Sequence, residues 1–69
     1  MSVFSERLQE LKLKRNVMQK DVAEAIEVPL RTYQRYEYGE REPQLSTLVR
    51  IADFYGVSLD YLAGRSDGV

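Results

Sequence analysis

Apolar positions along this 69-residue chain recur at helical spacing. Phe4, Leu8 and Leu11 stand at i, i+4 and i+7, which predicts an amphipathic helix that begins after Ser2, an N-cap residue type, and ends near Arg15. Asn16 follows the basic last turn KLKR, and asparagine is the best non-glycine residue for the left-handed turn that closes a helix. In MQKDVAEAI a short second helix places Val22, Ala23 and Ile26 on one face, with Asp21 and Glu24 on the other. A third helix starts at Pro29, where a missing amide proton costs nothing, and Gly39 and Pro43 of YGEREP break it. The fourth runs from about Leu45, with Leu45, Leu48, Ile51, Ala52 and Tyr55 apolar at helical spacing and Gly56 as its stop. Ser58 is placed to cap a last short helix that Gly64 ends, with Val57 and Leu62 positioned as a hydrophobic staple. No segment alternates with period two for long, so the expected fold class is all-α. Five helices would form one domain over residues 1–64, followed by a flexible tail at 65–69.

The third helix carries the unusual residues. Placed at about 100° per residue, LRTYQRYEY puts Tyr33 and Tyr36 within about 60° of each other, with Glu37 beside Tyr33. Arg31, Gln34 and Arg35 lie on the opposite side, with Tyr38 if the helix reaches that far and Leu30 on the flank. The tyrosine pair is expected in the core rather than as a base-stacking platform, because a small helical domain needs those contacts. Val28 and Tyr33, placed to form a staple, send Tyr33 inward as well. The outward face has two readings. Two arginines one turn apart with a glutamine between them present planar, multi-donor groups of the kind that read guanine and adenine edges, whereas the bland alternative is a solvated polar face.

Composition narrows the chemistry. The absence of cysteine and histidine excludes disulfides, imidazole catalysis and structural zinc of the usual ligands, and no cofactor or metal is expected. Asp21, Glu24, Asp53 and Asp60 show no paired spacing that would tune a catalytic carboxyl, and no glycine-rich loop would cradle phosphate, so an enzyme is not expected. The N-terminal stretch lacks the apolar run of a signal peptide or membrane span, which makes a cytoplasmic protein with no membrane partner the default. Net charge is −1, against bulk attraction to nucleic acid, yet Lys12, Lys14, Arg15 and Lys20 give residues 12–20 a local +4.

Residues 19–38, QKDVAEAIEVPLRTYQRYEY, resemble the helix-turn-helix of the lambda-repressor-like (Xre/Cro) family of bacterial and phage transcription regulators. Val22, Ala23, Ile26, Val28, Tyr33 and Tyr36 occupy the positions of the family's core, and small Ala23 allows the close crossing of the second and third helices. The flanks RLQELKLKRN, YEYGEREP and TLVRIADFYGVSLDYLAG are similar to the rest of that fold, so the likeness covers about residues 4–64.

The resemblance implies base contacts from Leu30, Arg31, Gln34 and Arg35, and phosphate contacts from Gln19, Thr32, Tyr38 and Arg41. It also implies a structural ion pair between Glu37 and Lys12, where the family usually has arginine. Other departures bear on stability. Glu27 stands where the turn normally has glycine, and a left-handed residue without glycine costs about 1 to 2 kcal/mol. Met18 and Pro29 replace polar caps, each forfeiting roughly 0.5 to 2 kcal/mol. Leu30 bears on specificity, since it can touch a thymine methyl but cannot hydrogen-bond a base.

The function expected from the resemblance is a sequence-specific double-stranded DNA-binding regulator, a repressor that binds an inverted-repeat operator as a homodimer, with apolar residues around Val57 and Tyr61 as candidates for the dimer contact. The alternative is a protein-interaction helix-turn-helix that holds a regulatory protein partner, as an antitoxin or anti-regulator does. The acidic C-terminal third favours that alternative slightly, and the outward arginines favour DNA.

Overall fold

The computed structural model describes residues 3–68. Among these residues the chain forms α1 (Val3–Arg15), α2 (Gln19–Ala25), α3 (Leu30–Glu37), α4 (Leu45–Tyr55) and α5 (Leu59–Ala63), with no strand. Ser2, expected to cap α1, lies outside the described residues. Helix α3 packs against both α1 and α2, while α5 packs against α1 and α4, so α1 joins the two halves. None of these helices is long and apolar enough to cross a membrane.

The short helices are held by a shared core rather than by their own propensity, since isolated helices of this length are marginal in water. Leu8 and Leu11 of α1, Val22 and Ala23 of α2, Ile26 just after it, Tyr33 and Tyr36 of α3, Ile51, Ala52 and Tyr55 of α4, and Tyr61 and Leu62 of α5 form one buried cluster. Phe4 meets Tyr36 edge-on at 6.5 Å, and the Tyr33 and Tyr55 hydroxyls lie 3.2 Å apart, so each buried phenol keeps a polar partner. Two expectations are corrected. Leu45, counted with the apolar face of α4, is 70% exposed, because it is the first residue of the helix and stands beyond the end that the core covers, which Thr47 and Leu48 already reach. Tyr61, considered as an exposed dimer contact, is 6% exposed; the Arg7 guanidinium of α1 covers its ring at 4.1 Å, and Val57 beside it is half-buried against the core. Arg7 also donates to the Ser66 carbonyl at 2.7 Å and pairs with Asp67 at 3.0 Å, tying residues 66 and 67 to α1.

One device ends all five helices. A residue one or two positions past each helix adopts positive φ, and the amide that follows it donates back to the carbonyl five residues earlier: Val17 to Lys12, Val28 to Ala23, Glu40 to Arg35, Val57 to Ala52 and Arg65 to Asp60. Glycine fills three of these positions, and at Gly64 it is also required by contact, since an added Cβ would stand 2.7 Å from Val3 Cγ1. Asn16 (φ 53°) and Glu27 (φ 62°) fill the other two, as the sequence predicts. At the start of helices the picture differs. The Ser58 hydroxyl accepts from the Tyr61 amide at 2.9 Å, whereas Met18 and Pro29 supply no side-chain cap, and α3 begins at Leu30, one residue later than the sequence predicts, with Pro29 extended at the cap.

The left-handed turn and the buried phenols can each be tested. Glu27→Gly removes left-handed strain at the expense of only an exposed 3.7 Å pair with Arg50. Allowing for glycine's unfolded-state entropy, it should stabilise the domain by roughly 0.5 to 1 kcal/mol, a rise of several degrees in Tm measured by circular dichroism. The second concerns alkali. The Tyr33 phenol is held far above its ordinary range, first by burial, then by the adjacent Glu37 carboxylate and the Tyr55 hydroxyl; burial also raises Tyr55. A phenol whose folded pKa is raised contributes stability that is complete below its unfolded value of about 10 and declines as pH rises, by about 1.4 kcal/mol per pH unit for each group. Urea unfolding between pH 8 and 12 should show this decline, and Tyr33→Phe should make it shallower.

Candidate nucleic-acid interface

Helix α3 is divided along its length. Tyr33, Tyr36 and Glu37 are buried on its inner side, Leu30, Arg31 and Tyr38 are exposed on its outer side, and Thr32, Gln34 and Arg35 are half-buried between them. The helix ends at Glu37, so Tyr38 occupies the C-terminal cap and Arg41 follows in the exposed loop. Of the residues expected at bases, all four therefore lie on or beside one accessible edge. Among the described residues, Arg31, Arg35 and Arg41 make no hydrogen bond or ion pair, in contrast to Arg7, Lys12 and Arg50, each of which is matched to a carboxylate. Their guanidinium donors are thus available to a ligand.

Behind that edge stands a polar network. Glu37 is 1% exposed, and its Oε1 forms an ion pair with Lys12 Nζ at 3.1 Å and accepts from Gln19 Nε2 at 3.2 Å. Gln19 Oε1 in turn accepts from Gln34 Nε2 at 3.1 Å. Gln9 of α1 donates to the Glu37 backbone carbonyl at 2.6 Å, satisfying an acceptor that the end of α3 leaves free. The second carboxylate oxygen, Oε2, is buried without a hydrogen bond of standard geometry among the described residues, close enough to Tyr33 to oppose its ionisation. The expected Lys12–Glu37 pair is present and joins α1 to α3. Through it the far end of α3 is fixed at two points on α1, one charged and one neutral.

The pairing of Gln19 with Gln34, and the support from Gln9, are not legible in the sequence beforehand. Gln9 stands three residues before Lys12 on one face of α1, a weak signal that became meaningful only with α3 in place. Gln19 keeps one amide hydrogen beyond its two internal bonds, so a phosphate contact from that side chain remains open. Thr32 sits on the flank of α3, half-buried. Gln9, Lys12, Leu13, Gln19, Glu37 and Tyr38 border an open depression of about 400 Å³ beside the exposed edge. Among the described residues no cluster of acidic side chains is placed to hold a metal ion.

Comparison with known proteins places this geometry. Residues 8–62 match a family described as helix-turn-helix. The chain is 37% identical over 65 residues to the cryptic phage CTXphi transcriptional repressor RstR of Vibrio cholerae, covering 94% of this chain and 59% of that protein. It is 34% identical over 64 residues to the HTH-type transcriptional regulator ImmR of Bacillus subtilis, covering 93% and 50%. The crystal structure of a transcriptional regulator from Listeria innocua superposes with a TM-score of 0.85 at 33% identity, over 96% of this chain and 62% of that one. The chain spans about half the length of the curated relatives it matches. Because the match covers most of the chain and includes α2, the left-handed turn at Glu27 and α3 together, the chain belongs to the helix-turn-helix family of transcriptional regulators of the lambda-repressor-like (Xre/Cro) type.

Proposed function

We propose that this domain reads a specific double-stranded DNA sequence by laying α3 in the major groove, and that it represses transcription as a homodimer on an inverted-repeat operator. The observation that carries the reading is the guanidinium edge of α3, where among the described residues Arg31 and Arg35 make no ion pair and stand on the exposed side of the helix. Arg31 and Arg35 supply bidentate donors to guanine, Gln34 supplies an amide, and Leu30 offers an apolar contact to a thymine methyl. Gln19, Thr32, Tyr38 and Arg41 are assigned to phosphates, which fix the register of α3 but carry no sequence information. The repressor sense follows the name of the Vibrio cholerae relative. Two-fold pairing follows from size: one helix of eight residues contacts few base pairs, and two copies with half-sites one helical turn apart reach useful affinity. With Tyr61 buried, the exposed apolar residues Leu45 and Val49 of α4 and Leu59 of α5 are the candidates for the dimer contact. A protein operating in this way works in the cytoplasm of a bacterium, on a host or phage genome.

Selection of binding sites from random duplex DNA at fixed salt tests the reading. An enriched palindrome is expected; no enrichment would transfer the assignment to a partner-binding module. Arg31→Ala and Arg35→Ala should each relax discrimination at a different base, by about 1 to 3 kcal/mol. Arg41→Ala should weaken binding to all sequences alike and reduce the salt slope by about 1. Retention of full affinity and sequence preference by both α3 variants would remove the base-reading assignment. Sedimentation at high concentration should show a dimer that Leu45→Glu with Val49→Glu dissociates, and one monomer bound per operator would contradict the two-fold arrangement.

A further inference from the structure

The network behind α3 has a direction, set by chemistry rather than by side-chain placement alone. A carboxylate only accepts, and the atom that Gln19 meets is Glu37 Oε1, the same oxygen that pairs with the Lys12 ammonium. A glutamine amide has one end of each kind. Gln19 must therefore turn its Nε2 toward Glu37, which leaves its Oε1 facing α3, and an oxygen there can only accept. Gln34 answers with Nε2. The polarity of a buried carboxylate is passed through two amides to the outer edge of α3, where Gln34 retains one free N–H and its Oε1 carbonyl.

That remainder has a specific complement. Adenine offers the major groove one acceptor, N7, and one donor, the N6 amino group, and Gln34 matches both at once. Guanine offers two acceptors, N7 and O6, and would need both Nε2 hydrogens of Gln34, one of which Gln19 Oε1 already holds. We infer that Glu37 is a positioning residue for base specificity: through Gln19 it fixes the orientation of the Gln34 amide, so that this side chain selects adenine over guanine. The inference rests on the proposed reading of DNA by α3 and adds to it a buried residue that touches no nucleotide.

Binding-site selection with four proteins tests it: the parent domain, Gln34→Ala, the double variant Lys12→Met with Glu37→Met, and Gln19→Leu. The double variant replaces the charge pair by apolar groups, which avoids leaving one charge buried alone. Gln34→Ala identifies the operator position that Gln34 reads. At that position the parent should favour adenine, and the double variant should lower the adenine-to-guanine ratio by about tenfold while the positions read by Arg31 and Arg35 keep their preferences. Gln19→Leu breaks the relay at its middle link from a half-buried surface position, and should lower the same ratio whether or not the double variant folds. An unchanged ratio in Gln19→Leu, or an equal loss of preference at every position in the double variant, would overturn the relay, the latter being what a purely docking role predicts. If Gln34→Ala altered no position, the placement of Gln34 at a base would fail first, an outcome distinct from a ratio that depends on Gln34 and ignores Glu37.

Discussion

Glu37 brings a negative charge to the inner edge of α3, where it is 1% exposed, and two neighbouring helices supply partners to one of its oxygens. Lys12 supplies a counter-charge from α1 at 3.1 Å, and Gln19 supplies an amide from α2 at 3.2 Å. Gln9 holds the carbonyl of the same residue. A buried ion pair of this kind contributes little net stability compared with an apolar pair, yet it is costly to leave half-made. Its consequence is geometric. Three helices meet at one carboxylate, and the pose of α3 relative to α1 and α2 is the pose in which its Oε1 reaches both Lys12 and Gln19.

The two sides of α3 depend on that pose in different ways. Inside, Tyr33 and Tyr36 fill the core, and the Tyr33–Tyr55 hydroxyl contact carries the packing across to α4. Outside, Arg31 and Arg35 have no partner among the described residues, while Gln34 is half engaged. The chain's net charge of −1 hides this, because acidic side chains on other helices, among them Glu6 and Glu10 of α1, Asp21 and Glu24 of α2 and Asp53 of α4, offset it in the sum. A local surplus of donors, and not the overall charge, is what the surface offers to DNA.

Much of this was legible in the sequence, and the parts that were not share a physical cause. Helix ends are local, and Asn16, Glu27, Gly39, Gly56 and Gly64 all take the left-handed turn that their positions after amphipathic segments require. The split of α3 is also local, since a wheel separates the tyrosines from the arginines. Burial on α4 and α5 was less accessible. The wheel shows that Leu45 belongs to an apolar stripe, but not that the core stops short of the helix's first residue. Nothing near Tyr61 in the chain announces that Arg7, on the first helix, covers its ring. The amide relay from Gln19 to Gln34 likewise joins two elements across 15 positions and has no periodic signature.

Reading of DNA in this way requires α3 to present its outer edge to the duplex, and nuclear magnetic resonance of the isotopically labelled domain tests that most directly. On titration with its selected duplex, the largest shifts should fall on the backbone amides of residues 30–38 and on the side-chain nitrogens of Arg31, Gln34 and Arg35, with smaller shifts at Gln19 and Arg41. Shifts concentrated on α4 and α5, with the side chains of α3 unmoved, would contradict it.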